Sequence, residues 1–216
     1  MVPMSSRSRQ ALKPFSLDPI HGSRSLAALL VLVALLLSGC GSGGSPESLP
    51  AATATERPAA AIDGLVLSDE YERSKTISTV EVSWTIEGEN LRMAISAPCT
   101  GYVSVGFDPE NRKEGGNYII GYVADGEAVV RDHVGTRGNL HDADTVLGGT
   151  DNILAFAGTE IDGQTTLEFM IPLDSGDDFD KPLVPGNKHV ILVAYQDTRD
   201  DLISIHSRHG VAQVDL

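Results

Sequence analysis

Gly101 to Val123, GYVSVGFDPENRKEGGNYIIGYV, is the stretch from which the fold can be read. Tyr102 to Phe107 alternates large and small side chains, as a pleated strand with one face on a core does. Asp108-Pro109-Glu110-Asn111 is turn chemistry: proline presets φ, and Asp and Asn bond their own backbone. Arg112-Lys113-Glu114 and Gly115-Gly116 lengthen that turn into a loop. Tyr118 to Val123 is apolar enough for a mostly buried strand. The segment therefore predicts strand, polar loop, strand. A loop held between two core strands is a rigid place for a ligand, although an ordinary hairpin has the same pattern.

The same signals recur on either side. Leu65-Val66-Leu67 leads into Tyr71, and Val80 to Ile86 alternates cleanly. Glu87-Gly88-Glu89-Asn90 turns that strand into Leu91 to Ile95. Asp125-Gly126 is a strong hairpin signal between the Tyr118 strand and Ala128 to Val134. Asn152 to Phe156, Thr165 to Ile171, Lys188 to Tyr195 and Val211 to Leu216 complete the set, and no amphipathic helix of any length stands out. About ten short strands separated by Gly, Pro and Asp turns predict an all-β fold, an antiparallel β-sandwich with immunoglobulin-like layers.

The chain ahead of this domain reads differently. Arg7, Arg9, Lys13 and Arg24 face a single acid, Asp18, before the apolar run Leu26 to Leu37. A dozen residues are too few to cross a ~30 Å hydrocarbon core and suit a signal-peptide h-region. Leu37-Ser38-Gly39-Cys40 then matches a bacterial lipobox, which implies a signal peptide over 1–39 and a lipidated Cys40. Residues 40–62, rich in Gly, Ser, Pro and Ala, lack the apolar surface to fold. They are expected to act as a flexible tether that would hold the 63–216 domain some 25 Å from a membrane. The expected location is the bacterial cell envelope, outer membrane or cell surface, anchored by lipid.

Composition narrows the partners. The formal charge is −14 over 216 residues, and the basic leader makes the remainder more acidic still. Such a surface argues against nucleic acid and against binding anionic lipid by charge. Cys99 is the one other cysteine, so there is no disulfide framework, CxxC pair or thiolate cluster; it reads as a small core residue. The nucleophile elbow, phosphate loop, H-E-x-x-H and dinucleotide-binding glycine motifs are all missing. Asp142-Ala143-Asp144 and DSGDDFD (Asp174 to Asp180) carry oxygen ligands without EF-hand spacing, and solvated acidic loops account for both. His206-Ser207-Arg208-His209-Gly210 falls at a turn before the last strand. Residues three apart on a strand face opposite sides, so this pair need not share a metal.

Taken in order, GYVSVGF, the polar loop, GGNYIIGYV, Asp132 after Val129-Val130, FMIPLDSGDDFD and HSRHG resemble the DOMON domain family. The resemblance spans nearly all of residues 65–216. It implies a β-sandwich of ten or eleven strands, secreted or membrane-tethered, that binds haem b or a sugar. In haem-binding members a loop Met and a His near the C-terminus ligate the iron. His206 matches the histidine, as metal ligand and cofactor-binding residue. The loop between Phe107 and Tyr118 contains no Met, which leaves Lys113 as its strong-field ligand and Met170 as a further candidate.

Three functions follow as expectations. The first is a haem b carrier passing electrons to a redox partner protein, ligated by His206 with Lys113 or Met170 opposite. The second is a binder of a sugar or similar small molecule, with Tyr102, Tyr118, Tyr122 and Trp84 around its pocket; an aromatic content of 5% is low for that. The third is an interaction or structural domain without a small ligand. None of the three is an enzyme by itself.

Overall fold

The computed structural model describes residues 61–216. The Leu37–Cys40 string and most of the tether lie outside them. The described chain is an antiparallel sandwich of two sheets, as the alternating segments predict. The five-stranded sheet runs β1 (Arg73–Ile77), β2 (Val80–Glu87), β3 (Asn90–Ala97), β9 (Gln164–Pro172) and β8 (Ala155–Ile161). The six-stranded sheet runs β11 (Arg208–Asp215), β10 (Lys188–Tyr195), β4 (Val103–Phe107), β5 (Asn117–Ala124), β6 (Glu127–Gly135) and β7 (His141–Ala143). One helical turn, α1 (Asp144–Leu147), follows β7.

The period-2 pattern explains which faces meet. Val82, Trp84, Leu91, Met93, Ile95, Leu167 and Phe169 from the five-stranded sheet face Val103, Val105, Phe107, Ile119, Ile191 and Val193 from the other. Burying each large side chain of this kind contributes roughly 1.5–3 kcal/mol. Cys99 is buried and unpaired in that core. The Asp125-Gly126 hairpin forms with both residues at positive φ (52° and 80°), the geometry a two-residue turn needs to match strand twist.

Two expected strands are corrected. Leu65 to Leu67 joins no ladder. Instead residues 63–71 strap the outer face of the five-stranded sheet. Fully buried Glu168 accepts hydrogen bonds from the Asp63 N–H (3.0 Å), the Gly64 N–H (2.7 Å) and the Tyr71 hydroxyl (2.6 Å). Gly64 has φ +85° and lies against the Gly158 backbone, so a side chain there has neither conformation nor room. Beside it, buried Arg92 pairs with Glu70 (3.2 Å) and Glu87 (2.8 Å) and stacks 4.4 Å over the Tyr71 ring. The strand expected at Asn152 to Phe156 begins later, at Ala155. The Asn152 N–H donates to the Asp132 carboxylate (3.0 Å) rather than to a ladder partner.

Candidate functional site

The outer face of the six-stranded sheet gathers most of the residues singled out in the sequence. Tyr118, Ile120 and Tyr122 alternate with core-facing Ile119, Gly121 and Val123 along β5, so they stand on that outer face. Ser104 and Gly106 of β4, Leu192 and Ala194 of β10, and His209 and Val211 of β11 share it by register. The result is an apolar floor with aromatic rings on one side and histidines at both ends.

Two loops border this face, and each is pinned by identifiable bonds. The first, residues 108–116, starts at Asp108, whose carboxylate accepts from the Val190 N–H (2.7 Å) and contacts His189 Nδ1 at 2.5 Å. It ends against β6, where Gly115 N–H donates to the Gly135 carbonyl and Gly135 N–H to the Gly116 carbonyl, both at 2.8 Å. Lys113 N–H donates to the Gly138 carbonyl (3.0 Å), and its ammonium lies 6.0 Å from the Tyr118 ring centre. The polar loop of the sequence reading is thus rigidly held. The second, residues 196–207, is tied back by Gln196 N–H to the Tyr102 carbonyl (2.9 Å) and Ser207 N–H to the Tyr195 carbonyl (2.8 Å). Within it, Asp201 accepts from the N–H groups of Ile203 and Ser204. Tyr102 uses its hydroxyl to donate to the Ser204 carbonyl (3.0 Å). It therefore holds this second loop over the sheet.

His206 sits half-buried at the end of that loop. It precedes β11, so the chain is not extended from 206 to 209 as the strand argument assumed. The rings of His206 and His209 approach to 4.9 Å between centres. Burial, then Lys113, then His209 push the His206 imidazole below its ordinary range. Burial also lowers the Lys113 ammonium. The two residues lie 93 positions apart in sequence, yet the Lys113 charge is one of the causes that lower His206. Around His206, Ile203, Ile205 and Val211 are 90%, 86% and 60% exposed, an apolar rim with no protein cover.

A second histidine pair lies on the other flank. His133 of β6 and His141 of β7 meet through their Nδ1 atoms at 2.9 Å. Burial, Lys113 and His133 push His141 down to about 4, and burial lowers His133. The Tyr118 hydroxyl is buried without a hydrogen-bond partner, and burial raises it. Sequence reasoning missed this pair. Its only signal was that His133 falls on the outward phase of β6, whose register with β7 was not visible.

Two candidates do not join the site. Met170 does point away from Phe169 and Ile171, but into the outer face of the five-stranded sheet, opposite Arg92 in the ladder. That face is on the far side of the molecule from His206, so Met170 is not positioned to share a ligand with it. Trp84 is 5% exposed within the inter-sheet core. Its edge meets a cleft of about 210 Å³ beside Glu72, Arg73 and Leu216, not the face bearing the tyrosines. Alternation puts Trp84 in phase with Val80 and Val82, which decides its burial.

The family profile described as DOMON domain matches residues 76–196, more than half of the chain, and ends before His206. Among solved structures the chain is similar to the cytochrome b domain of pyranose dehydrogenase from Coprinopsis cinerea, at 11% identity and a TM-score of 0.46, covering 63% of this chain and 76% of that one. It is also similar to the cytochrome domain of Myriococcum thermophilum cellobiose dehydrogenase, at 7% identity and a TM-score of 0.44, covering 63% and 74%. No curated relative matches the chain.

Proposed function

The chain belongs to the DOMON domain family, and from that premise we propose that it is a non-catalytic ligand-binding domain that carries haem b on the outer face of its six-stranded sheet. One observation carries the reading. His206 and Lys113 come from separate loops to one face, and both lean towards the uncharged state that metal coordination requires. Three further features fit the group. The exposed side chains of Ile203, Ile205 and Val211 offer apolar cover for a flat macrocycle. The floor of Gly106, Ile120, Leu192 and Ala194 is apolar, with Arg131 beside Ile120 at its β6 edge. Tyr118 leaves a buried hydroxyl unpartnered beside Lys113.

In this reading an imidazole nitrogen of His206 and the amine of Lys113 would hold the haem iron. His209 lies against the His206 ring and limits its rotation. Tyr102 sets the position of His206 by fixing the loop that bears it. Bound haem supplies a one-electron iron couple, so the protein serves as an electron carrier for a separate redox partner. Residues 37–40 support export and lipidation at Cys40, with the domain held outside the cytoplasm at a bacterial membrane; mass spectrometry of the N-terminal peptide tests that part. Among the described residues no helix is long and apolar enough to cross a membrane.

The absorbance of the purified protein, reconstituted with haem and then reduced with dithionite, tests the proposal. A sharp Soret band with resolved α and β bands is expected for wild type, and His206→Ala should abolish it. Lys113→Ala should convert the six-coordinate spectrum to a five-coordinate one. A weak, broad Soret that washes off, unchanged in His206→Ala, would remove haem from the reading. The rings of Tyr118 and Tyr122 on the same face then favour a sugar or similar small organic ligand, and failure to bind glycans leaves a protein-interaction domain.

A further inference from the structure

At the edge where the two sheets meet beside β6 and β8, three aspartates converge from three segments. Asp132 projects from the core side of β6, between Val130 and Val134 in phase, and is 2% exposed. Asp144 opens α1 and is fully enclosed (0% exposed). Asp180 comes from the connection between β9 and β10. One carboxylate oxygen of each lies within 4.8 Å of those of the other two.

Their protein partners occupy only part of their oxygens. Asp132 Oδ2 accepts from the Asn152 N–H (3.0 Å), and Asp180 Oδ2 from the Ser175 hydroxyl (2.6 Å). With its amide nitrogen turned inward, the Asn152 side chain donates to Asp180 Oδ2 and to the Thr150 carbonyl, 3.1 Å each. Asp132 Oδ1, Asp180 Oδ1 and both oxygens of Asp144 are buried with no donor at all. The ion pairs among the described residues are Arg92 with Glu70 and Glu87, Lys181 with Glu110 and His189 with Asp108, so none reaches this cluster. Burying three carboxylates together without a cation is strongly unfavourable.

We propose that Asp132, Asp144 and Asp180 hold a calcium ion that clamps the β6–β8 seam of the sandwich. Oxygens around a calcium ion sit at roughly 2.3–2.6 Å from it, so ligands up to about 4.8 Å apart still share one ion. The donors are all hard carboxylates with no His or Cys among them, which disfavours zinc and other transition metals. Two of the three ligands sit on or beside loops, which suits the irregular six- to eight-fold shell of calcium better than the rigid octahedron of magnesium. The ion would join β6, the α1 turn and the 173–187 connection. Through Asn152 it would also join the segment entering β8. Asp132 points from β6 to the opposite side of the sheet from the outer face that bears His206, and the site does not depend on haem.

The purified protein is stripped with a chelator and its thermal unfolding is followed near neutral pH with and without calcium, alongside isothermal titration calorimetry. At about 100-fold excess over Kd, calcium should raise the midpoint by about 5–10 °C, with one ion bound per chain and magnesium giving less. Asp144→Asn should abolish that rise, while its metal-free form melts no lower than metal-free wild type because one buried repulsive charge is gone. Millimolar calcium that shifts nothing and releases no heat overturns the proposal. So does a shift reproduced by sodium chloride of equal ionic strength, or a full calcium response in Asp144→Asn. If that variant fails to fold, Asp180→Asn replaces it, and a full calcium response there overturns the proposal equally.

Discussion

Glu168 offers the sharpest test of how this sandwich is closed. Its carboxylate gathers three donors from the strap: the N–H groups of Asp63 and Gly64 on one oxygen and the Tyr71 hydroxyl on the other. A hydrogen bond to a charged group contributes roughly 1.5–3 kcal/mol, and three sharing one acceptor are not additive. Glu168→Ala removes the acceptor, orphans the buried Gly64 N–H and opens a cavity in a fully enclosed position. Its expected cost is about 4 kcal/mol. Glu168→Gln is different. Its amide oxygen still accepts from both N–H groups, and its amide nitrogen donates to Tyr71, whose hydroxyl switches to accepting. Only the charge assistance is lost, about 2 kcal/mol. For a domain near 150 residues this corresponds to a fall in Tm of roughly 8–16 °C for Ala and 4–8 °C for Gln. Unfolding in urea can be followed through Trp84, the only tryptophan and a buried one. Limited proteolysis should show earlier cleavage within 61–72 in the Ala variant. Haem binding should be unchanged in both, because the strap covers the opposite face. If Ala and Gln destabilise equally, or Ala costs less than about 1 kcal/mol, the strap is not held by this carboxylate and the argument fails.

Other outcomes follow from the site. A Cβ at Gly135 would overlap the Lys113 carbonyl, so Gly135→Ala should displace the 108–116 loop, cost about 1–3 kcal/mol and weaken the reduced-haem spectrum more than it lowers Tm. His141 is held down to about 4 in the fold, against 6.5 when exposed. The unfolded chain therefore binds a proton first, and this group's contribution to stability is present above pH 6.5 and lost as pH falls towards 4. After allowance for solvent screening that amounts to about 1–2 kcal/mol. His141→Gln should flatten the acid limb of a Tm–pH curve, and an unchanged limb would assign it to other groups.

The fold was legible because alternation is local. In Val80 to Ile86, and in Tyr118 to Val123, each residue's neighbour two places away settles which side faces the core. The same rule worked for the Asp125-Gly126 turn, whose two positive-φ residues are chosen by their own backbone. It failed at Leu65 to Leu67, where an apolar triplet is paired with nothing and the chain is held instead by Glu168, about 100 residues away. It misjudged His206 and His209 because the strand begins only at Arg208. Met170 was read correctly as facing away from the core, but alternation says nothing about which of two outer faces that is.

Composition and period alone determined the sandwich, the acidic surface and the loop between β4 and β5, while the interest of His206 came from its resemblance to the family's C-terminal histidine. These properties depend on residues within a few positions of one another. Only the tertiary structure decided that Met170 and Trp84 lie away from the outer face of the six-stranded sheet, because register and sheet order are set by contacts between segments distant in sequence. The aspartates make the same point. Asp144 and Asp180 lie in the two acidic stretches that carry oxygen ligands, and Asp132 in a third segment, none with metal-binding spacing. Packing of β6 against β8 is what leaves their oxygens buried together.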